Sequence, residues 1–171
     1  DVDLVLELFT DPEIMEYAGG PVKNERIRAE MAASDQRGAD GSIGVWCICK
    51  AQTKESIGTI ALLPLPVEAE DTEWKLVRTG EMPDGDIEIG YFLRKEEWRQ
   101  GYISEAVSRV LEFAFSVASL EEIVAVIDPR NTASRKVLER TGFLSEGDRR
   151  AYRETCPGFR LSKSGWLAGR L

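Results

Sequence analysis

Apolar residues recur along this chain in two rhythms: steps of three and four that mark helices, and alternation that marks strands. The clearest helical stretch runs from about Ile103 to Val117. Ile103, Val107, Val110, Leu111 and Ala114 line one side, and Glu105, Ser108, Arg109 and Glu112 take the other. Just before it, Asp86 to Leu93 alternates, with Ile87, Ile89 and Tyr91 between Glu88, Gly90 and Phe92. Just after it, Glu122 to Ile127 is β-branched and reads as a strand. Asp128-Pro129-Arg130-Asn131 turns into a helix from Thr132 to about Thr141, with Gly142 as its C-terminal cap. Upstream, Ile43 to Lys50 and Ser56 to Leu63 flank the polar turn Gln52 to Glu55, the pattern of an antiparallel hairpin.

The remaining segments are read from turn and cap signals. Val2 to Phe9 is a short helix with Leu4, Val5 and Leu8 on one side. Asp11-Pro12-Glu13 has the composition of a helix start, stopped by Gly19-Gly20-Pro21. Asn24 is expected to cap a further helix through about Ala33, with Ile27 and Met31 inward, and Ser34 to Ser42 to form a loop. Pro64 and Pro66 end the sheet pattern, and Val67 to Gly85 is polar and irregular, with Trp74 as an anchor. Beyond Phe143, Ala151-Tyr152 and Phe159 to Leu161 are candidates for the last strands. Together these elements predict an α/β (α+β) fold. It is a mixed sheet of six or seven strands flanked by helices, with a strand–helix–strand centre in which Glu88–Leu93 lies parallel and adjacent to Glu122–Ile127.

At 171 residues the chain suits one domain, residues 1–171. The net charge of −8, with no long Lys/Arg block, argues against a nucleic-acid partner. No apolar run reaches the roughly 18 residues of a membrane span, and no basic-then-apolar segment opens the sequence. The first residue is Asp1 rather than methionine, so preceding residues are expected in the native chain. The three cysteines, Cys47, Cys49 and Cys156, are an odd count, and the first two share one strand face where a disulfide does not form. A reducing, cytoplasmic setting is expected. The chain has no histidine, which excludes Ser-His-Asp and Cys-His catalysis and a histidine zinc site. No metal site is expected, and chemistry falls to carboxylates, hydroxyls, backbone amides and a bound co-substrate.

One junction stands out: Trp98-Arg99-Gln100-Gly101-Tyr102-Ile103-Ser104-Glu105-Ala106, between the alternating strand and the long helix. A glycine turn opening a helix leaves unpaired amides at the positive end of the helix dipole, a place for an anion. Gly101 permits close backbone approach and Arg99 adds charge. A plain turn has the same composition.

The chain resembles the GCN5-related N-acetyltransferase (GNAT) superfamily, and within it the branch of ribosomal-protein N-terminal acetyltransferases (RimJ/RimL-like). Three pieces carry the resemblance in order: Glu88-Ile89-Gly90-Tyr91, the Trp98–Ala106 junction, and the helix from Asn131 through Ser134 to Gly142-Phe143. The junction departs from the family pattern at Trp98, where Gln or Arg is usual, at Arg99, often glycine in this branch, and at Ile103, where a small residue is usual. The resemblance implies an acetyl-CoA-dependent transfer to a primary amine, either a peptide or protein N-terminus or a small molecule such as a polyamine or aminoglycoside. A non-catalytic ligand-binding or interaction module of the same fold is the other alternative, and a homodimer fits the resemblance as well. It implies that Arg99, Gln100, Gly101, Tyr102, Ile103 and Ser104 hold the CoA pyrophosphate, and that Ile89, Gly90 and Tyr91 form the acyl-binding strand. Asn131 is expected on the pantetheine arm or a catalytic water, and Ser134 as an orienter of water or a proton donor to the departing thiolate. Glu88 is the candidate general base and also meets the amine, with Tyr152 a weaker acid candidate. Trp46 is placed with Glu88 as substrate-binding, Trp74 is a second candidate lining residue, and Glu13, Glu16, Asp84 and Asp86 are candidates for attracting a cationic amine.

Overall fold

The computed structural model describes residues 2–170. Seven strands form one sheet in the order β1-β2-β3-β4-β5-β7-β6. In chain order, α1 (Val2–Thr10) and α2 (Asn24–Ser34) precede β1 (Arg37–Gly38), β2 (Ile43–Cys49) and β3 (Ser56–Pro64). β4 (Ile87–Leu93), α3 (Tyr102–Ser116), β5 (Glu122–Val126) and α4 (Thr132–Arg140) form the centre. β6 (Leu144–Ala151), β7 (Glu154–Ser162) and α5 (Lys163–Ala168) close the fold. All neighbouring strands are antiparallel except β4 and β5, which are parallel with α3 between them in sequence, as the alternating and helical rhythms predict.

Several local expectations change. Asp11 does cap: its Oδ1 accepts from the amides of Glu13 and Ile14. Yet residues 12–19 form successive turns rather than a helix, ending at Gly19 and Gly20, both at positive φ. Asn24 is not the cap of α2; Lys23 occupies that position and contributes no side-chain bond. The polar Ser34–Ser42 segment is not all loop, because Arg37–Gly38 adds the short edge strand β1 to β2. The tail, weakly patterned after Phe143, forms the long β6–β7 hairpin.

Side-chain parity divides the sheet. Ile60 and Leu62 of β3, Ile87, Ile89 and Leu93 of β4, Ile123 and Ala125 of β5, and Phe159 of β7 join Val107, Leu111, Phe115 and Leu138 of α3 and α4 in the main core. The opposite face carries a smaller cluster of Leu65, Val124 and Ala151, with Val126, Tyr152 and Cys156 packed on it. α1 also reaches that opposite face, where Phe9 and Phe92 have ring centroids 4.8 Å apart.

Candidate active site

β3 and β4 pair along their length, from Gly58↔Leu93 to Pro64↔Ile87. β4 and β5 share one register pair, Glu88↔Val124, and then separate although β4 continues to Leu93. Beyond Glu88 no register pair joins β4 to β5 among the described residues. Two elements reach β4 there: the start of α4, whose Ser134 lies by Tyr91, and the tip of the β6–β7 hairpin, whose Tyr152 meets Glu88.

The loop before α3 is held by its own side chains. Trp98 Nε1 donates to the Leu93 carbonyl at 2.9 Å, so the residue that replaces Gln or Arg works as a brace. Glu97, only 6 % exposed, pairs with Lys50 at 2.5 Å, and Gln100 Nε2 donates to the Glu96 carbonyl and to Glu97. Gln100 therefore offers the junction its amide, while its side chain turns back into the loop. Arg99 and Gly101 both adopt left-handed backbone, φ 63 and 87. A Cβ on Gly101 would meet nothing within 4 Å, so glycine is there for conformation and not for space. The first intrahelical bond of α3 runs from the Glu105 amide to the Gly101 carbonyl. The amides of Tyr102, Ile103 and Ser104 precede it and have no acceptor within the helix. Ile103 and Tyr102 pack against the main core, so the branched side chain of Ile103 points away from the loop surface. The amides, the exposed Arg99 and the open space over Gly101 fit a pyrophosphate.

On the α4 side, Asn131 Oδ1 caps the helix, accepting from the Ser134 amide at 3.0 Å. Tyr91 points into this side of the sheet. Its hydroxyl is buried, finds no hydrogen-bond partner among the described residues, and is pushed up to about 12 by burial. Ser134 lies near enough to ease that shift without hydrogen-bonding geometry. Tyr91 thus remains a protonated donor, next to the half-buried Ser134.

Glu88 lies on the opposite face. Tyr152 Oη donates to Glu88 Oε2 at 2.5 Å. Burial raises the carboxyl to about 7; the Tyr152 hydroxyl, the Val126 amide and the Arg149 guanidinium each pull it back down. A carboxylate near neutrality accepts and releases protons under physiological conditions. Beside it, a Cβ on Gly90 would meet nothing within 4 Å, leaving open space along that face.

The structure places Glu88, Ile89, Gly90 and Tyr91 on β4 at the divergence and Ser134 beside Tyr91, while Asn131 caps α4 and residues 99–104 open α3. It does not bring Trp46 to the divergence. Trp46 pairs with Ile60 on the main-core face, packs edge-on against Phe113 at 5.8 Å, and carries Arg37 above its ring. Trp74 packs against the main core, as an anchor does. Glu13 pairs with Lys95, and Asp86 pairs with Arg149 and Arg160. Tyr152 was legible only as a tyrosine in a weakly patterned tail, because its approach to Glu88 depends on a contact spanning 64 residues.

Comparison with known proteins gives the family. Residues 1–144 match the sequence profile described as the acetyltransferase (GNAT) domain. The chain is 36 % identical to the uncharacterized N-acetyltransferase YoaA of Bacillus subtilis (strain 168) over 156 residues, covering 89 % of this chain and 78 % of that one. A shorter stretch of 63 residues is 38 % identical to the putative ribosomal N-acetyltransferase YdaF of the same organism, covering 37 % of this chain and 34 % of that one. Among solved structures, spermidine N-acetyltransferase from Vibrio cholerae in complex with CoA and spermine superposes with a TM-score of 0.72 at 16 % identity, covering 98 % of this chain and 92 % of that one. The chain belongs to the GNAT acetyltransferase family, and the mixed sheet is that family's fold. Among the described residues no His/Cys/Asp/Glu group is arranged to hold a metal, and no helix is long and apolar enough to cross a membrane.

Proposed function

We propose that residues 1–171 act as one domain that transfers the acetyl group of acetyl-CoA to a primary amine at the β4–β5 divergence. The observation that carries this reading is the division of labour there: unpaired α3 amides on one side and a carboxylate near neutrality on the other face. Acetyl-CoA supplies an acetyl group activated as a thioester. The amides of Arg99 to Ser104 hold its pyrophosphate, with Arg99 adding charge. The β4 backbone from Ile89 to Tyr91 directs amide hydrogen toward the thioester carbonyl oxygen. Glu88 takes the proton of the incoming ammonium, directly or through water, so that the free amine attacks. As the carbon–sulfur bond breaks, Ser134, with Tyr91 beside it, passes a proton to the departing sulfur and is resupplied by the proton that the attacking nitrogen sheds. Asn131 keeps its Nδ2 for the pantetheine arm while its Oδ1 caps α4. No covalent enzyme intermediate is required, which suits a chain without histidine.

For the acceptor, we propose a peptide or protein N-terminus, as in the ribosomal-protein branch, supported by the local match to YdaF. A small cationic amine is the second reading. It is favoured by the hairpin tip that covers Glu88 and by the shared fold with a spermidine acetyltransferase. Calorimetry with acetyl-CoA followed by a thiol-release assay on peptides, polyamines and aminoglycosides tests both. The expected result is micromolar-to-millimolar cofactor binding and turnover of peptides. Turnover of one small amine with none of any peptide reverses the acceptor assignment, and no binding at millimolar acetyl-CoA removes the catalytic reading.

A further inference from the structure

The β6–β7 hairpin ends in a two-residue turn, Tyr152-Arg153, between the paired residues Ala151 and Glu154. Both turn residues have positive φ, 52 and 62, the pattern of a type I′ turn that Asn-Gly adopts with ease. A tyrosine followed by an arginine adopts it only when surrounding contacts hold it there. Those contacts are present. The Tyr152 amide donates to the Pro66 carbonyl at 2.8 Å and the Arg153 amide to the Val67 carbonyl at 2.9 Å. Arg150 makes a two-pronged pair with Glu68 at 3.0 and 2.9 Å. Arg153 reaches the Glu68 carbonyl at 2.9 Å and the Glu70 carboxylate at 2.6 Å. The tip is thus latched to the segment after β3 through Pro66, Val67, Glu68 and Glu70. What the latched tip delivers is one group, the Tyr152 hydroxyl on Glu88. The ring below it packs with Leu65, Val124 and Ala151.

We infer that Tyr152 is the positioning residue for Glu88: the strained, latched hairpin tip exists to hold that hydroxyl on the carboxylate and so fix its orientation at the β4–β5 gap. The inference rests on the reading of Glu88 as general base for its functional meaning, and on geometry alone for the pairing. The groups facing the pair are few. Arg149 comes from β6, the Val126 amide from β5 and Cys156 from β7, and Asp71 faces Tyr152 from the segment after β3. Tyr152 itself is shifted strongly upward by burial and by Glu88, so it stays protonated and donates throughout the working range. A donor to the charged form favours that form, so deleting the hydroxyl moves the Glu88 midpoint up.

The test is Tyr152→Phe, which keeps the ring and its packing. Carbon-13 NMR titration follows the Glu88 carboxyl, assigned by its disappearance in Glu88→Gln, beside the kcat/KM pH profile and acetyl-CoA calorimetry. The Glu88 midpoint is expected to rise by about one to two pH units, from the usual strength of a hydrogen bond to a charged group. The acidic limb of the profile moves with it, and acetyl-CoA affinity stays within about twofold, because the hydroxyl lies on the face opposite the loop. The double change Arg150→Ala and Arg153→Ala keeps the hydroxyl but frees the tip, and is expected to move the midpoint the same way by less. An unmoved midpoint in Tyr152→Phe overturns the inference whatever happens to activity. An unmoved midpoint in the latch variant overturns the role assigned to the tip. Full turnover in Glu88→Gln, with the midpoint still moving in Tyr152→Phe, would instead remove the general-base reading and leave the pairing intact.

Discussion

Successive residues of β4 serve opposite faces of the sheet, and the two faces treat polar groups differently. Ile87, Ile89 and Leu93 point into the main core with Tyr91, and there a single hydroxyl is left buried without a hydrogen-bond partner among the described residues. Glu88 and Gly90 point the other way, where a carboxylate meets a tyrosine hydroxyl, a backbone amide and an arginine, and where open space remains beside it. Burial acts on both titratable groups in the same sense, disfavouring charge. The outcomes differ because their ordinary values differ. Tyr91 is driven to about 12 and stays a donor; Glu88 is driven to about 7 and becomes an acceptor that titrates near neutrality. One strand thereby separates a proton donor from a proton acceptor by the thickness of its backbone.

The comparison breaks first at Glu88→Gln. The expected result is a fall in kcat of about 10²- to 10⁴-fold, with the acetyl-CoA dissociation constant nearly unchanged, measured by thiol release and calorimetry. Turnover near that of the unsubstituted enzyme would return Glu88 to a structural strand carboxylate. The opposite face should respond in stability instead. Ile87→Ala removes a side chain 6 % exposed in the main core and is expected to cost about 2–5 kcal/mol by denaturant unfolding, with kcat of the folded fraction little altered.

The pH dependence of stability sharpens the contrast. Glu88 is raised from an ordinary 4.5 to about 7 in the folded chain. Between those values the folded state binds more protons than the unfolded state. Its contribution is therefore fully present below the unfolded value and is lost as pH rises through about 7. The melting temperature should accordingly fall, relative to that of Glu88→Gln, between about pH 5 and about pH 8, and a constant difference would show that the carboxyl does not titrate there. The smallest effect belongs to Tyr91→Phe. Deleting a buried hydroxyl that lacks a partner should leave stability unchanged or raise it by less than about 1 kcal/mol, while lowering kcat if that hydroxyl supports Ser134.

Much of this was legible in the chain alone. The period of α3, the alternation of β4, the β-branched run of β5 and the Gly142 stop of α4 are local patterns, and local backbone preference and burial of one face suffice to set them. The turn at Gly101 before α3 is local in the same way. Glu88, Asn131 and Ser134 stood out through the resemblance to the GNAT superfamily, which the Glu88–Tyr91 and Asn131–Phe143 motifs carry. Other features had no local signature. Residues 12–19 have the composition of a helix start yet form successive turns that end at Gly19 and Gly20. Trp46 is apolar enough for a cleft, and only strand parity reveals that it faces α3.

The sequence by itself determined the β2–β3 hairpin, the parallel β4–β5 centre with α3 between, the helix α4 and the exclusion of histidine chemistry, since each follows from residue type and near-neighbour spacing. Alternation set Glu88 and Tyr91 on opposite faces of β4, and tertiary structure alone decided what each of them meets there. It alone brought Tyr152 across 64 residues to Glu88 and spread β4 from β5 to make room between them. It also moved a carboxyl from its ordinary range to neutrality. The physical reason is that desolvation and long-range hydrogen bonds depend on what surrounds a side chain in space, which residue spacing along the chain does not encode.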